Sequence, residues 1–256
     1  MRIIVVKART LIYSFAVLVL AVLVLAVSLS NTEIAAVFDA KKDLPIYSVD
    51  RPEKNVAITF DCAWGADDIP EILSVLEKEN VQATFFIVGQ WAEKFPQEVK
   101  MIAAKGHDVA NHSYSHLRFG ALDAKRISYE ISRCGEVLNQ LTGKKVELVR
   151  PPYGDYNNTA VAAARQLGYY TIQWDVDSLD WKPEISRQEI MRRVTSKVRP
   201  GSIILFHNDT THTAKVLPSV IASLKQQGYG FQPVSKLILR ENFFIDFDGR
   251  QKVKEN

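Results

Sequence analysis

The chain has 256 residues, 47% hydrophobic and 24% charged, the balance of a globular protein rather than a disordered or fibrous one. Its formal charge of +3 comes from Arg2, Lys7 and Arg9, because residues 1–30 hold no acid and the rest of the chain is neutral. A domain without basic excess excludes the nucleic-acid binders, and two cysteines, Cys62 and Cys134, exclude a disulfide framework.

The first feature in chain order is an uncharged stretch over residues 10–32, where Ala16 to Val27 reads AVLVLAVLVLAV. Basic residues precede it, so the positive-inside rule keeps the N-terminus in the cytoplasm and exports the remainder of the chain. Residues 1–30 are therefore expected to form one N-terminal transmembrane or signal helix. Leu11 to Leu29 nearly supplies the roughly 20 apolar residues of an uncleaved anchor, while Ala26-Val27-Ser28 would suit cleavage of a secreted form. The anchor is the preferred reading, which makes the domain extracytoplasmic and tied to the cell membrane. Residues 31–54 are polar and aperiodic and read as a linker.

From residue 55 short apolar runs alternate with amphipathic stretches. Strands are expected over Val56–Phe60, Ala83–Val88, Asp108–Asn111, Glu147–Arg150, Tyr170–Trp174, Ile203–Phe206 and Gly230–Pro233. Helices are expected near 69–79, 91–105, 123–141, 158–167, 186–198 and 213–227. Ser186 with Glu189 has the spacing of a capping box, and Asp68 with Glu71 is a weaker one. Cys134 shares an i, i+3, i+4 stripe with Ile127, Ile131, Leu138 and Leu141, so it reads as buried. Strict βα alternation implies an α/β domain with a parallel sheet and right-handed crossovers. About seven strands suit an irregular barrel better than an open sheet. This domain spans 55–240, and 241–256 reads as a charged, frayed tail.

In such folds chemistry gathers at the carboxyl ends of the strands. There the sequence places Thr59-Phe60-Asp61-Cys62, His112-Ser113-Tyr114-Ser115-His116, Arg150-Pro151-Pro152-Tyr153-Gly154, Asp177-Ser178-Leu179-Asp180-Trp181 and Leu205-Phe206-His207. Three of five histidines thus converge on one rim. His112 and His116, four apart, reach one ion from a single helical turn. Asp61 is placed to take a proton from water acidified by that ion, Arg150 to keep Asp61 ionised, and His207 to protonate a leaving amine. His107 reads as a solvated loop residue and His212 as rim or helix cap. Trp64, Trp91, Tyr153, Tyr156 and Trp174 read as packing, with a lesser sugar-stacking role open to Trp64, Tyr156 and Trp181.

These five segments, in this order, resemble the motifs of the polysaccharide deacetylases, the NodB-homology family or carbohydrate esterase family four, over about residues 55–235. Ile69-Pro70-Glu71-Ile72-Leu73 and Ala83-Thr84-Phe85-Phe86 add to the likeness, which is nearest to the sporulation-type cell-wall deacetylases of endospore formers. The resemblance implies a distorted (β/α) barrel of seven strands and hydrolytic N-deacetylation of an N-acetylhexosamine polymer, peptidoglycan or chitin-like, with release of acetate. It implies Asp61 as base, Arg150 as its orienting partner and His207 as acid. Asp180 would tune the acid, with Asp177 the other candidate, and the Tyr153 N–H would serve as oxyanion donor. Trp181 and Leu205 would wall the acetyl methyl, and His112 and His116 would hold a divalent metal, usually zinc. The family's third ligand is an aspartate directly after the base, and here Cys62 stands there. Three readings stay open: a thiolate ligand, a buried thiol that fills space, or substitution by Asp67 or Asp68. The departure motivates an alternative, a glycan-binding or sporulation protein that keeps the fold without the catalysis. O-deacetylation of acetylated xylan is a further possibility within the fold.

Overall fold

The computed structural model describes Tyr13, Phe15, residues 17–25 and residues 43–254. Residues 17–25 are helical, and among the described residues no helix is long and apolar enough to cross a membrane. Most of the expected 1–30 helix lies outside the described residues, as does the linker before residue 43. The chain divides into two compact units between Lys42 and Asp43, and the second of them carries the α/β domain.

The strands are β1 (Ser48–Val49), β2 (Asn55–Cys62), β3 (Thr84–Ile87), β4 (Asp108–Asn111), β5 (Leu148–Val149), β6 (Tyr170–Thr171), β7 (Val176–Asp177), β8 (Ile203–His207), β9 (Gly230–Phe231), β10 (Phe243–Ile245) and β11 (Arg250–Val253). The main sheet runs β6-β5-β4-β3-β2-β8-β7, all pairs parallel, with β9 on β2. The helices are α1 (Ile69–Lys78), α2 (Gly89–Lys94), α3 (Pro96–Ala104), α4 (Ala124–Thr142), α5 (Asn158–Gln166), α6 (Arg187–Lys197), α7 (Thr213–Gln226) and α8 (Val234–Leu237). All seven expected strands and six expected helices are present in this distorted half-barrel. The expected 91–105 helix is two: Phe95 precedes Pro96 and leaves the helical region (φ −126°, ψ 58°), as the residue before proline tends to do.

Alternation along β2 divides its side chains between two cores. Val56, Ile58, Phe60 and Cys62 belong to the large cluster shared with the helices, Ala57 belongs to the inner cluster, and Thr59 and Asp61 meet Arg150. The strand carries two residues further than the sequence predicts, so Asp61 and Cys62 take opposite faces.

The linker and tail expectations are corrected. Ile46 bridges Ile172 beyond β6, and Ser48 bridges Ser202 before β8, so residues 46–49 span the gap between the two sides of the sheet. Ile46 and Val49 are buried in the inner cluster. Val49 donates its N–H to Gly201 O (2.9 Å); Gly201 has φ +81° and no room for a Cβ beside the Val49 carbonyl, a position that demands glycine. The tail is no frayed end: β10 and β11 form a hairpin and β11 pairs with β1 in parallel. The Gln251 amide is buried, donating to Leu239 O and accepting from Leu239 N–H. Charged residues hid the short apolar run Phe243–Ile245. Two local readings also change. Asp68 makes no side-chain cap to α1, accepting from the Asp209 N–H instead (2.9 Å). His107 is buried, accepts from the Ala83 N–H at Nδ1 (3.2 Å) and is pushed down to about 4, chiefly by burial and then by Lys105.

Candidate active site

A cavity of about 730 Å³ opens at the carboxyl ends of the strands, and Asp61, His112, His116, Tyr153, Asp180, Trp181, Leu205 and His207 all line it. Two of these side chains arrive together because of strand register: β2 and β8 pair Asp61 opposite His207. Residues directly opposite in a sheet project from the same face, so the carboxylate and the imidazole share one floor.

Each has its own partner. Arg150 is fully buried, and its Nη1 donates to Asp61 Oδ1 (2.6 Å) and Thr59 Oγ1 (2.9 Å), its Nη2 to Gln173 O (3.1 Å). The Phe86 ring lies 3.9 Å beneath the guanidinium. Burial alone would raise the Asp61 carboxyl, but Arg150, with His112 and His207, outweighs it and holds Asp61 below the usual carboxylate range. Opposite, His207 Nδ1 donates to Asp180 Oδ1 (2.8 Å) and its backbone N–H to Oδ2 (2.8 Å). Thr213 Oγ1 also donates to Oδ2. Burial opposes the charged imidazolium here, yet the Asp180 hydrogen bond and charge, then Asp61 and Asp177, raise His207 above its ordinary value. The carboxylate is thus kept ionised and the imidazole holds its proton more firmly than usual, the direction of separation that acid–base pairs require. Asp177 spends Oδ1 on the Leu179 N–H (2.9 Å), so of the two carboxylates it is Asp180 that bonds the His207 ring.

Tyr153 sits in a tight turn at φ 60°, ψ 11°. The turn is closed by the Gly154 and Asp155 N–H groups on Pro151 O and Pro152 O. Ser113, His116, Leu179 and Asp209 are likewise left-handed, and all four stand on rim loops, where strained backbone tends to be stored.

The two histidines lie side by side, ring centroids 5.0 Å apart. His112 Nδ1 lies 2.8 Å from the Arg150 carbonyl; a carbonyl only accepts, so Nδ1 carries the proton and Nε2 keeps a lone pair, 3.5 Å from Asp61 Oδ2. Burial lowers both imidazoles, His116 to about 3 with His112 as second cause, so both are neutral donors. His116 Nδ1 is buried without a partner. The loop between them hangs on Glu130, a residue of α4 that the sequence reading missed. Its buried carboxylate accepts from the Tyr114 and Ser115 N–H groups (3.0 and 2.7 Å), Ser115 Oγ (2.7 Å) and Arg126 Nη2 (2.7 Å). Its signal was an acid in the buried stripe of α4, between Ile127 and Cys134.

A family model described as polysaccharide deacetylase matches residues 48–172. A peptidoglycan-N-acetylglucosamine deacetylase of Bacillus cereus is 37% identical over 180 residues, covering 69% of this chain and 65% of that protein. The solved Bc1960 peptidoglycan N-acetylglucosamine deacetylase is 34% identical, with a TM-score of 0.73 over 75% of this chain and 92% of its own. The chain belongs to the polysaccharide deacetylase family. Similarity of the same degree (34%, TM-score 0.73, 75% of this chain and 68% of the other) extends to a protein of Bacillus anthracis described as a CE4 family pseudoenzyme.

Deacetylases of this family generally depend on a metal, and the donors of this member fit that requirement in part. His112 and His116 present free imidazole nitrogens to one cavity. Among the described residues no group of three or more His, Cys, Asp or Glu side chains could hold an ion. Cys62 is absent from the cavity wall and buried in the outer core. Burial, then Asp61 and Asp68, push its thiol well above its ordinary value, which opposes the thiolate a ligand must be. Asp68 is turned to Asp209. Among the described residues the three-ligand arrangement of catalytic zinc does not form.

Proposed function

We propose that this chain hydrolyses the N-acetyl amide of an N-acetylhexosamine polymer of the cell wall, releasing acetate and leaving a free amine. One observation carries the reading: Asp61, held ionised by Arg150, stands in register with His207, whose ring is hydrogen-bonded to Asp180. Asp61 accepts a proton from the attacking water as its oxygen adds to the amide carbon. The charge that develops on the carbonyl oxygen is met by the Tyr153 N–H, a preorganised donor. His207 then gives its proton to the nitrogen as the C–N bond breaks. Trp181 and Leu205, exposed and buried respectively, bound the acetyl methyl. Peptidoglycan is favoured over chitin because the named deacetylases among the relatives act on it. The uncharged run after Arg2, Lys7 and Arg9 supports export, with the domain held at the outer face of the membrane by its N-terminal segment.

For the metal, two imidazoles hold a divalent ion less firmly than three ligands, so zinc is expected to bind weakly. That shortfall favours the second reading, a glycan-binding relative without catalysis. Acetate release from peptidoglycan, chitooligosaccharides and acetylxylan, with and without added zinc, separates the two. The parent should release acetate from an N-acetylated polymer, and Asp61→Asn and His207→Ala should each lower turnover by about 10²–10⁴. Inactivity of the parent on the whole panel would overturn the catalytic reading.

A further inference from the structure

Of the four tryptophans in the chain, one stands where packing does not account for it. Trp91 is buried and donates its Nε1–H to Gly65 O (2.9 Å), the ordinary state of a core indole. Trp64, one residue before that glycine, lines the cavity yet is 68% exposed. The His116 ring meets it in a T-shaped contact (5.8 Å, 78°), which covers at most one face of the indole. The backbone beside it is fixed. Gly65 donates its N–H to Asp209 Oδ2 (2.9 Å), and its carbonyl accepts from Asn208 Nδ2 as well as from Trp91. A Cβ at Gly65 would stand 2.6 Å from the Asp209 carboxylate, so this turn is clamped onto the loop after β8. Single exposed apolar side chains are common on any surface. An indole held over a cavity by a rigid turn differs from those, because it offers a large flat face and loses little freedom on binding.

In the proposed hydrolysis Asp61 and His207 form the floor under the reacting sugar, and Tyr153, Trp181 and Leu205 surround its acetyl group. Trp64 is left over, on the His116 side of the same cavity. The volume of about 730 Å³ lies in the upper part of the range that encloses a drug-sized ligand, roughly 300–1,000 Å³, and leaves room beside the reacting sugar. A pyranose ring turns C–H groups to its face and hydroxyls to its edge, so an open indole matches the face of a neighbouring sugar through apolar area and dispersion. We propose that Trp64 is the stacking platform for the sugar next to the reacting one, and that it makes the site select oligomers over the monosaccharide. The proposal rests on the deacetylase reading for the position of the reacting sugar, while the platform itself is measurable by binding alone. Trp64 is a specificity residue in it and touches none of the reacting atoms.

Affinity is measured by titration calorimetry for N-acetylglucosamine, its tetrasaccharide and a peptide-free peptidoglycan tetrasaccharide. The proteins are the parent, Trp64→Ala, Trp64→Leu and Trp64→Tyr, with acetate release followed in parallel. The parent should bind at least one tetrasaccharide about tenfold or more tighter than the monosaccharide, the scale of burying one face of a large aromatic ring. Trp64→Ala should lose most of that gain, through KM rather than kcat where acetate is released. Trp64→Leu should lose it too, because a branched aliphatic side chain has no flat face, and Trp64→Tyr should keep much of it. The gain should survive about 1 M salt, which screens ion pairs and spares apolar contact. The indole N–H resonance of Trp64, assigned from its loss in Trp64→Tyr, should shift when the tetrasaccharide binds. A length gain that Trp64→Ala retains overturns the proposal, as does a resonance that stays in place at saturation. Equal weakening of monosaccharide and tetrasaccharide by Trp64→Ala also overturns it, since that is the mark of a residue that merely supports His116. A chain that binds the tetrasaccharide through Trp64 but releases no acetate refutes the catalytic reading and leaves this one standing. Acetate release with a length gain independent of Trp64 does the reverse, and a chain that binds none of the three sugars refutes both.

Discussion

Asp180 uses both carboxylate oxygens on the segment it serves, Oδ1 on the His207 ring and Oδ2 on the His207 backbone and Thr213. Its hydrogen bond and charge raise His207 above its ordinary value against the opposing effect of burial, so in the proposed role of acid its proton is held to higher pH than on a free imidazole and lost as pH rises through that raised value. Asp180→Asn preserves shape and removes the charge. The alkaline limb of the pH profile of kcat/KM should then move to lower pH, with the rate beyond the limb falling about tenfold per unit of displacement. A limb that stays in place would remove Asp180 from this role. Cys62 carries the opposite lesson. Its thiol is buried on the far face of β2 from Asp61 and is held protonated. Zinc titration of the parent and Cys62→Ala should therefore give the same weak affinity, and loss of zinc in the variant would show a thiolate ligand after all.

Among the elements, the loop after β4 depends most on a distant partner. Its left-handed residues Ser113 and His116 are conformations that cost energy unless neighbours impose them, and Glu130 imposes them from α4. Glu130→Ala would leave the Tyr114 and Ser115 N–H groups without their acceptor, in a place where Glu130 itself is fully buried. We expect a loss of about 3 kcal/mol, read as a lower midpoint in urea unfolding. A loss below about 1 kcal/mol would mean that water or another acceptor takes over the loop. His116 faces the cavity at the end of this loop, so the same carboxylate sets where its imidazole points.

For the whole molecule, the segment that precedes the barrel also closes it. Residues 46–49 tie the β6 side to the β8 side, and β11 backs them. Domain limits drawn at 55 and 240 would cut away both. The N-terminal charge asymmetry predicts that protease added to intact protoplasts degrades the domain. Protection from that protease would overturn export, whereas a mature N-terminus near Leu29 would replace the anchor by a cleaved signal and leave export intact.

Sequence alone located the seven strands, five of the six expected helices and the strand-end positions of Asp61, Arg150 and His207, because apolar periodicity and strand-end placement are local properties; Asp180 came from the family resemblance, with Asp177 open beside it. Face and register were not local. Whether Cys62 stood beside Asp61 or behind it hinged on β2 running to residue 62 rather than 60, since alternation applies only where the strand persists. That Asp61 meets His207 was decided by the pairing of two strands 146 residues apart. Closure by residues 46–49 and 250–253 was invisible because two-residue pairings carry no periodicity of their own; partners brought to them by the rest of the chain hold them in place. The same holds for Glu130, whose charge reads as solvated until the loop it caps is folded over it.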